Sequence, residues 1–345
     1  MSRLIDLILV HILVLASIAD KLVRMDVSFK MTGVNTVYPQ PVVNFKADGQ
    51  IWKQWYENSH EDCKEFLFGC YECNPPCKQG PTKTVDFVGG ARIQLFPHTG
   101  KLDFNDGVST SLDFGLVAAF NRELTSIWAS LGLAPSDTET APYRSVPEQL
   151  LLKKVITESS YAIYFNAGAN PSGELILGGD DPSKRAGALN YLKIVDAESH
   201  FVRVLGLAIG SDPKNTILIG MPAVLDTGAS HIIMDEKFKR QVIAFLQTAG
   251  AKKVQIEEKG VNFVISCADA PNLPSMTFLM EGLKGEKIPL LINAASLVQK
   301  VRRNVCYMRI AFKDYEDAIF LGASAFLGRY LYFDLGNTKI GFANV

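Results

Sequence analysis

Ala223-Val224-Leu225-Asp226-Thr227-Gly228-Ala229-Ser230 is the stretch on which the reading of this chain turns. Three apolar residues predict a strand that fixes the carboxylate at its end inside the protein. Thr227 is suited to hydrogen-bond within the loop that follows, and Gly228 lets the backbone approach its partner closely. Asp-Thr-Gly alone is a short pattern that arises by chance, so its meaning rests on its surroundings. About ninety residues on comes Ile319-Phe320-Leu321-Gly322, an apolar run closed by glycine that suits the bracing of such a loop.

The chain then reads Tyr332-Phe333-Asp334-Leu335-Gly336-Asn337-Thr338-Lys339-Ile340-Gly341-Phe342-Ala343. Upstream lie Ser172-Gly173-Glu174-Leu175-Ile176-Leu177-Gly178-Gly179-Asp180 and Gly187-Ala188-Leu189-Asn190-Tyr191. Together these segments resemble the pepsin-like aspartic peptidases, over roughly residues 26–345 and strongly after about 145. The resemblance implies a mainly β, bilobal fold with a peptide-binding cleft between two related β lobes. The N-terminal lobe would take residues 20–188 and the C-terminal lobe 189–345. Each lobe of such a protein gives one Asp-Thr-Gly, and the two carboxylates share a proton, pepsin being the usual example. One acts as base toward a water while the other, protonated, polarises the scissile carbonyl. The chemistry needs no covalent intermediate, cofactor or metal. Asp226, with Thr227 and Gly228 in its loop, is the catalytic aspartate the resemblance implies for the second lobe. Cys267 and Cys306 fall where that lobe's disulfide would be.

The first lobe departs from the pattern, because Asp-Thr-Gly does not occur a second time. Its counterpart is sought in Pro41-Val42-Val43-Asn44-Phe45-Lys46-Ala47-Asp48-Gly49-Gln50-Ile51-Trp52, an apolar strand, a loop and Ile-Trp. Counted from upstream, Lys46 replaces the aspartate and Ala47 its threonine. Counted back from Trp52, Phe45 takes that place. Asp48 is either a displaced substitute or an exposed Asp-Gly turn. If Lys46 faces Asp226, its ammonium should lower the pKa of that carboxyl.

Two more first-lobe features are altered. Val85–Leu95 holds Gly89-Gly90 between strand-like runs, a hairpin signal, and Val85–Ala91 resembles the family's flap. Phe87 would then replace the flap tyrosine and lose its hydroxyl, or it is an ordinary hairpin aromatic beside Gly89. Trp128-Ala129-Ser130-Leu131-Gly132-Leu133-Ala134 matches the segment that braces the first active-site loop, with Ser130 interrupting its apolar pair. The family's zymogens also use a longer basic prosegment, and only about seven residues separate Ala19 from the strand expected near Val27.

Composition supports a soluble globular protein. At 48% hydrophobic the chain buries enough surface to fold, which excludes disorder as its main state. With 35 basic against 36 acidic side chains and no long Lys/Arg run, nucleic-acid binding is not expected. Residues 1–19 read as a signal peptide: Arg3, an almost wholly apolar Leu7–Ile18, and small Ser17 and Ala19 before Asp20. The rival, a membrane anchor, needs ~20 apolar residues where about 12 are present. No stable span should remain after cleavage, and the protein is expected to be secreted or in the secretory-pathway lumen.

Six cysteines fit an oxidising compartment. Cys63, Cys70, Cys73 and Cys77 crowd a polar loop over 57–81, read as a disulfide staple, with zinc the alternative because Cys70-x-x-Cys73 has ligand spacing. No Asn-x-Ser/Thr sequon occurs, since Asn170 precedes Pro171. Strands are expected at Val27–Val34, Pro41–Phe45 and Glu174–Leu177. A helix should start near Pro147 and run to Lys154, and Asp235–Gly250 is the clearest helix, capped by Asp235, with Phe238, Val242, Phe245 and Leu246 on one face and Gly250 ending it. The function expected is that of a secreted, monomeric peptidase homologue with an incomplete dyad, binding an extended peptide or protein in its cleft. The alternative is an active aspartic-type endopeptidase.

Overall fold

The computed structural model describes residues 21–30, 39–51, 71–73, 77–86, 92–104, 106–120, 130–135, 143–168, 170–196, 200–314 and 317–345. The expected signal peptide, Cys63, Cys70, Phe87, Gly89 and most of the loop over 57–81 lie outside them.

The protein is mainly β, arranged as the bilobal pepsin-like fold. A seven-stranded antiparallel sheet joins distant parts of the chain. Its order is Ala186–Leu192, Lys339–Asn344, Arg329–Asp334, Ser160–Phe165, Ser172–Leu177, Val23–Lys30 and Gln40–Val43. The strand expected from Val27 starts four residues earlier, at Val23, because Val23, Met25 and Val27 alternate into the core.

The first lobe is built on a long antiparallel pair, Arg92–Asp103 with Ser109–Phe120. Lys83–Asp86 pairs with the start of the former, Asp86 opposite Arg92, which is the hairpin expected over 85–95; its tip lies outside the described residues. Phe45, Phe96, Leu102, Phe104, Leu112 and Leu116 are buried in this lobe. Helix α1, Val146–Leu152, begins where Ser145 donates its N–H to Glu148 Oε2 at 2.9 Å, with Pro147 in the first turn.

The second lobe holds an eight-stranded sheet and a four-stranded one. Asp235 accepts from the Lys237 N–H and opens a single 3-10 turn, after which helix α2 runs Lys239–Thr248 with Val242 and Leu246 fully buried. The expected Gly250 terminator does something else. The helix ends on Ala249, and a Cβ on Gly250 would lie 1.8 Å from the Asn272 carbonyl oxygen, so glycine is there for close packing. Cys267 and Cys306 are disulfide-bonded at the end of the inner strand pair Asn262–Ser266 and Val305–Met308 of the four-stranded sheet, and Cys73 is bonded to Cys77. Among the described residues no helix is long and apolar enough to cross a membrane.

Candidate active site

Asp226 is the last residue of the strand Thr216–Asp226. That strand runs parallel to Ile319–Gly322, with Asp226 opposite Gly322. On its other side Ile319–Gly322 pairs antiparallel with Ile232–Asp235. The segment between Asp226 and Ile232 must therefore cross over the end of the strand Ile319–Gly322, and the crossing is tight. A Cβ on Gly322 would lie 2.1 Å from the His231 carbonyl oxygen and 2.7 Å from that of Ala229. The Ala323 N–H donates to the Ala229 carbonyl at 2.7 Å, pinning the loop from below. Close approach thus falls on Gly322 rather than on Gly228, where the sequence reading put it. Gly228 serves through its N–H, which donates to Asp226 Oδ1 at 2.9 Å.

Burial raises the Asp226 pKa, and the Gly228 and Ala229 N–H groups oppose that rise without cancelling it. Tyr161, on the strand Ser160–Phe165 and stacked on Phe333 at 4.6 Å, has its own pKa raised by burial and then by the Asp226 charge. His231 also faces the loop: its Nδ1 is 2.9 Å from Ser230 Oγ. Burial, then Arg309 and Lys313, push its pKa down to about 4, so the ring is neutral above that pH.

The first-lobe residues are arranged differently. Lys46–Ala47 and Gln50–Ile51 pair antiparallel, Lys46 opposite Ile51 and Ala47 opposite Gln50. Asp48 and Gly49 are the two turn residues between them, both with positive φ (49° and 78°), the backbone that an Asp-Gly hairpin turn demands. Phe45 is buried against Phe104, ring centroids 5.9 Å apart. Lys46 is exposed and sits opposite Asp103 in the sheet. The Asp103 pKa is lowered chiefly by a hydrogen bond from Ser109, with Lys101 and Lys46 adding to it.

The expectation that Lys46 lowers the Asp226 pKa is therefore wrong in sign and in place. Among the described residues the Asp226 carboxyl is held by its own loop amides, and the register that turns Lys46 toward Asp103 is set by the Asp48-Gly49 hairpin. Asp48 is tied into a different set of contacts. Its Oδ1 accepts from the Lys101 N–H at 2.8 Å, its N–H donates to the Lys101 carbonyl at 2.7 Å, and its Oδ2 accepts from the Tyr71 hydroxyl. Sequence reasoning missed Tyr161, His231, Tyr71 and His98, none of which belongs to a motif or a periodic pattern.

A carboxylate at the end of a parallel-paired strand, in a loop threaded over a glycine, defines one half-site of an aspartic protease. Residues 101–345 match the family model for eukaryotic aspartyl protease, and the chain belongs to that family. It is 29% identical to renin from Ovis aries over 291 residues, 80% of this chain and 69% of that protein. Against renin-2 from Mus musculus it is 29% identical over 204 residues, 57% of this chain and 48% of the relative. Against cathepsin D from Chionodraco hamatus it is 25% identical over 223 residues, 62% and 53% of the two chains. The chain thus spans about half the length of two of these relatives.

Proposed function

We propose that this protein is a secretory-pathway member of the aspartic protease family that binds extended peptides or a protein segment between its lobes but does not hydrolyse them. It acts as a monomer on this reading. Asp226, with Thr227 and Gly228, is the surviving half of the dyad, and the segment Phe45–Gly49 is the degenerate half. The observation that carries the reading is the Asp48-Gly49 hairpin: on this reading the first half-site has become a tight two-residue turn preceded by a buried phenylalanine. A lone carboxylate can orient a water but has no neighbouring acid to protonate the amide or polarise the carbonyl. The Cys73–Cys77 and Cys267–Cys306 disulfides support an oxidising compartment.

One observation favours the competing reading of an active endopeptidase. The raised pKa of Asp226 keeps its carboxyl protonated to higher pH than an ordinary carboxylate, as a proton donor requires. The two readings separate in one assay. Purified protein, incubated at about pH 3 to 7 with denatured protein and mixed peptides, should give no cleavage above background over the pH range in which a carboxylate dyad works. Cleavage that disappears in Asp226→Asn would establish the endopeptidase instead.

A further inference from the structure

Away from Asp226, a group of reactive side chains among the described residues surrounds the Cys73–Cys77 disulfide in the first lobe. His98, on the strand Arg92–Asp103, holds Nδ1 3.6 Å from Cys77 Sγ. Its Nε2 is 3.1 Å from the Tyr71 hydroxyl, which donates to Asp48 Oδ2, and Nε2 itself is 3.8 Å from that oxygen. The rings of Tyr71, His98 and Phe114 meet edge to face, His98 being 5.2 Å from each of the others. Gly100 makes room for the arrangement: a Cβ there would lie 2.5 Å from Asp48 Oδ2 and 3.1 Å from the Phe114 ring.

Counting protons assigns the imidazole. Tyr71 has one hydroxyl hydrogen and gives it to Asp48, so in the neutral ring His98 Nε2–H donates to the Tyr71 oxygen. Nδ1 then carries the lone pair, and it faces sulfur. Sulfur, imidazole, phenol and carboxylate form one connected chain, the order in which a histidine activates a thiol and a carboxylate steadies the histidine.

We propose that Cys73–Cys77 is a redox-active disulfide, opened by dithiols, in which Cys77 is the leaving sulfur and His98 the proton acceptor beside it. The thiolate of an incoming dithiol attacks Cys73 Sγ. A new S–S bond forms there as the Cys73–Cys77 bond breaks, and the electron pair departs on Cys77 Sγ. The proton shed by the dithiol is taken up at His98 Nδ1, giving an imidazolium–thiolate pair that Asp48 stabilises through Tyr71. The second sulfur of the dithiol displaces Cys73 from the mixed disulfide. The dithiol ends as its disulfide, and the protein has gained two electrons and two protons. Attack falls on Cys73 because only Cys77 has the imidazole beside it, so the electron pair departing on Cys77 Sγ is stabilised by the protonated ring.

Cys267–Cys306, with Cys306 buried, is the internal control. The full-length oxidised protein is treated with dithiothreitol, quenched in acid, alkylated and mapped by mass spectrometry. Cys73–Cys77 should open about tenfold faster than Cys267–Cys306, or more, and His98→Phe should slow its opening about tenfold while leaving Cys267–Cys306 unchanged. Equal rates with and without His98 would overturn the proposal. Glutathione, a monothiol, should be trapped as a mixed disulfide on Cys73 of the unaltered protein; trapping on Cys77 would also overturn it. That second measurement needs no variant, so it decides the matter even if His98→Phe does not fold.

Discussion

In each lobe a strand leads into a loop or turn that carries an aspartate, and the two are finished in opposite ways. In the second lobe the strand Thr216–Asp226 has a parallel neighbour, and the chain has to pass over that neighbour's end to find its next pairing. The loop is therefore wide, held open by Gly322 beneath it, with Asp226 at its start. In the first lobe the chain pairs with itself after two residues, Asp48 and Gly49. A hairpin that short has no room for a carboxylate held by loop amides, and its one acid bonds sideways to Lys101 and Tyr71. What makes a half-site here is less the acidic residue than the strand crossing that holds it out.

That contrast can be broken first at its tightest point. Gly322→Ala would drive a methyl group into the His231 and Ala229 carbonyls and is expected to cost more than about 4 kcal/mol, the range of severe backbone overpacking. Gly49→Ala, in the open turn of the other lobe, meets no atom and strains only its positive φ, about 1–2 kcal/mol. Denaturant unfolding of both variants checks this, and equal losses would remove the distinction between a crossing and a turn.

A smaller, pH-dependent effect sharpens it. Because burial raises the Asp226 pKa, the folded protein holds that proton more firmly than the unfolded chain does. The resulting stability is fully present below the ordinary carboxylate range and is lost as pH rises through the folded pKa. Asp226→Asn should therefore leave the melting temperature unchanged at about pH 3 and raise it near pH 7. A melting temperature lowered at neutral pH would mean that Asp226 is stabilised as an anion, by a partner outside its own loop.

The smallest effect is expected at Lys46. An exposed lysine opposite Asp103 contributes little, so Lys46→Ala should shift stability by no more than ~0.5 kcal/mol. A loss of several kcal/mol in thermal unfolding would place Lys46 against a buried acid after all.

How far the sequence could be read follows the range of the interactions. The strand into Asp226, the pairing of Lys83–Asp86 with Arg92 onward and the Val242/Leu246 face of α2 are local patterns of period two or 3.6, and each is present. Counting along the first half-site placed Lys46 or Phe45 at the acid position, since counting assumes the loop keeps its length. The Asp48-Gly49 pair was the stronger signal, because that dipeptide selects a two-residue turn and so fixes the register beyond it. Asp48, Tyr71 and His98 meet across gaps of 23 and 27 residues, Tyr161 reaches Asp226 from another sheet, and the need for glycine at 322 comes from a carbonyl ninety residues away. Contacts of that kind are set by topology and leave no periodic trace.

The seven-stranded sheet gives the chain a particular order of assembly. Val23–Lys30, synthesised well before its neighbour, lies beside Ser172–Leu177, and Ser160–Phe165 takes its other partner from Arg329–Asp334. Lys339–Asn344 then stands between Arg329–Asp334 and Ala186–Leu192. Most of the chain has to emerge from the ribosome before this sheet can close, and every loop it ties is more than a hundred residues long or is nested inside one that is. Until then the edges of Val23–Lys30 and Ser160–Phe165 are unpaired templates for other chains. The protein's exposure to misassembly is thus greatest late in synthesis, and a chaperone that shields strand edges would matter more to its yield than one that speeds either lobe.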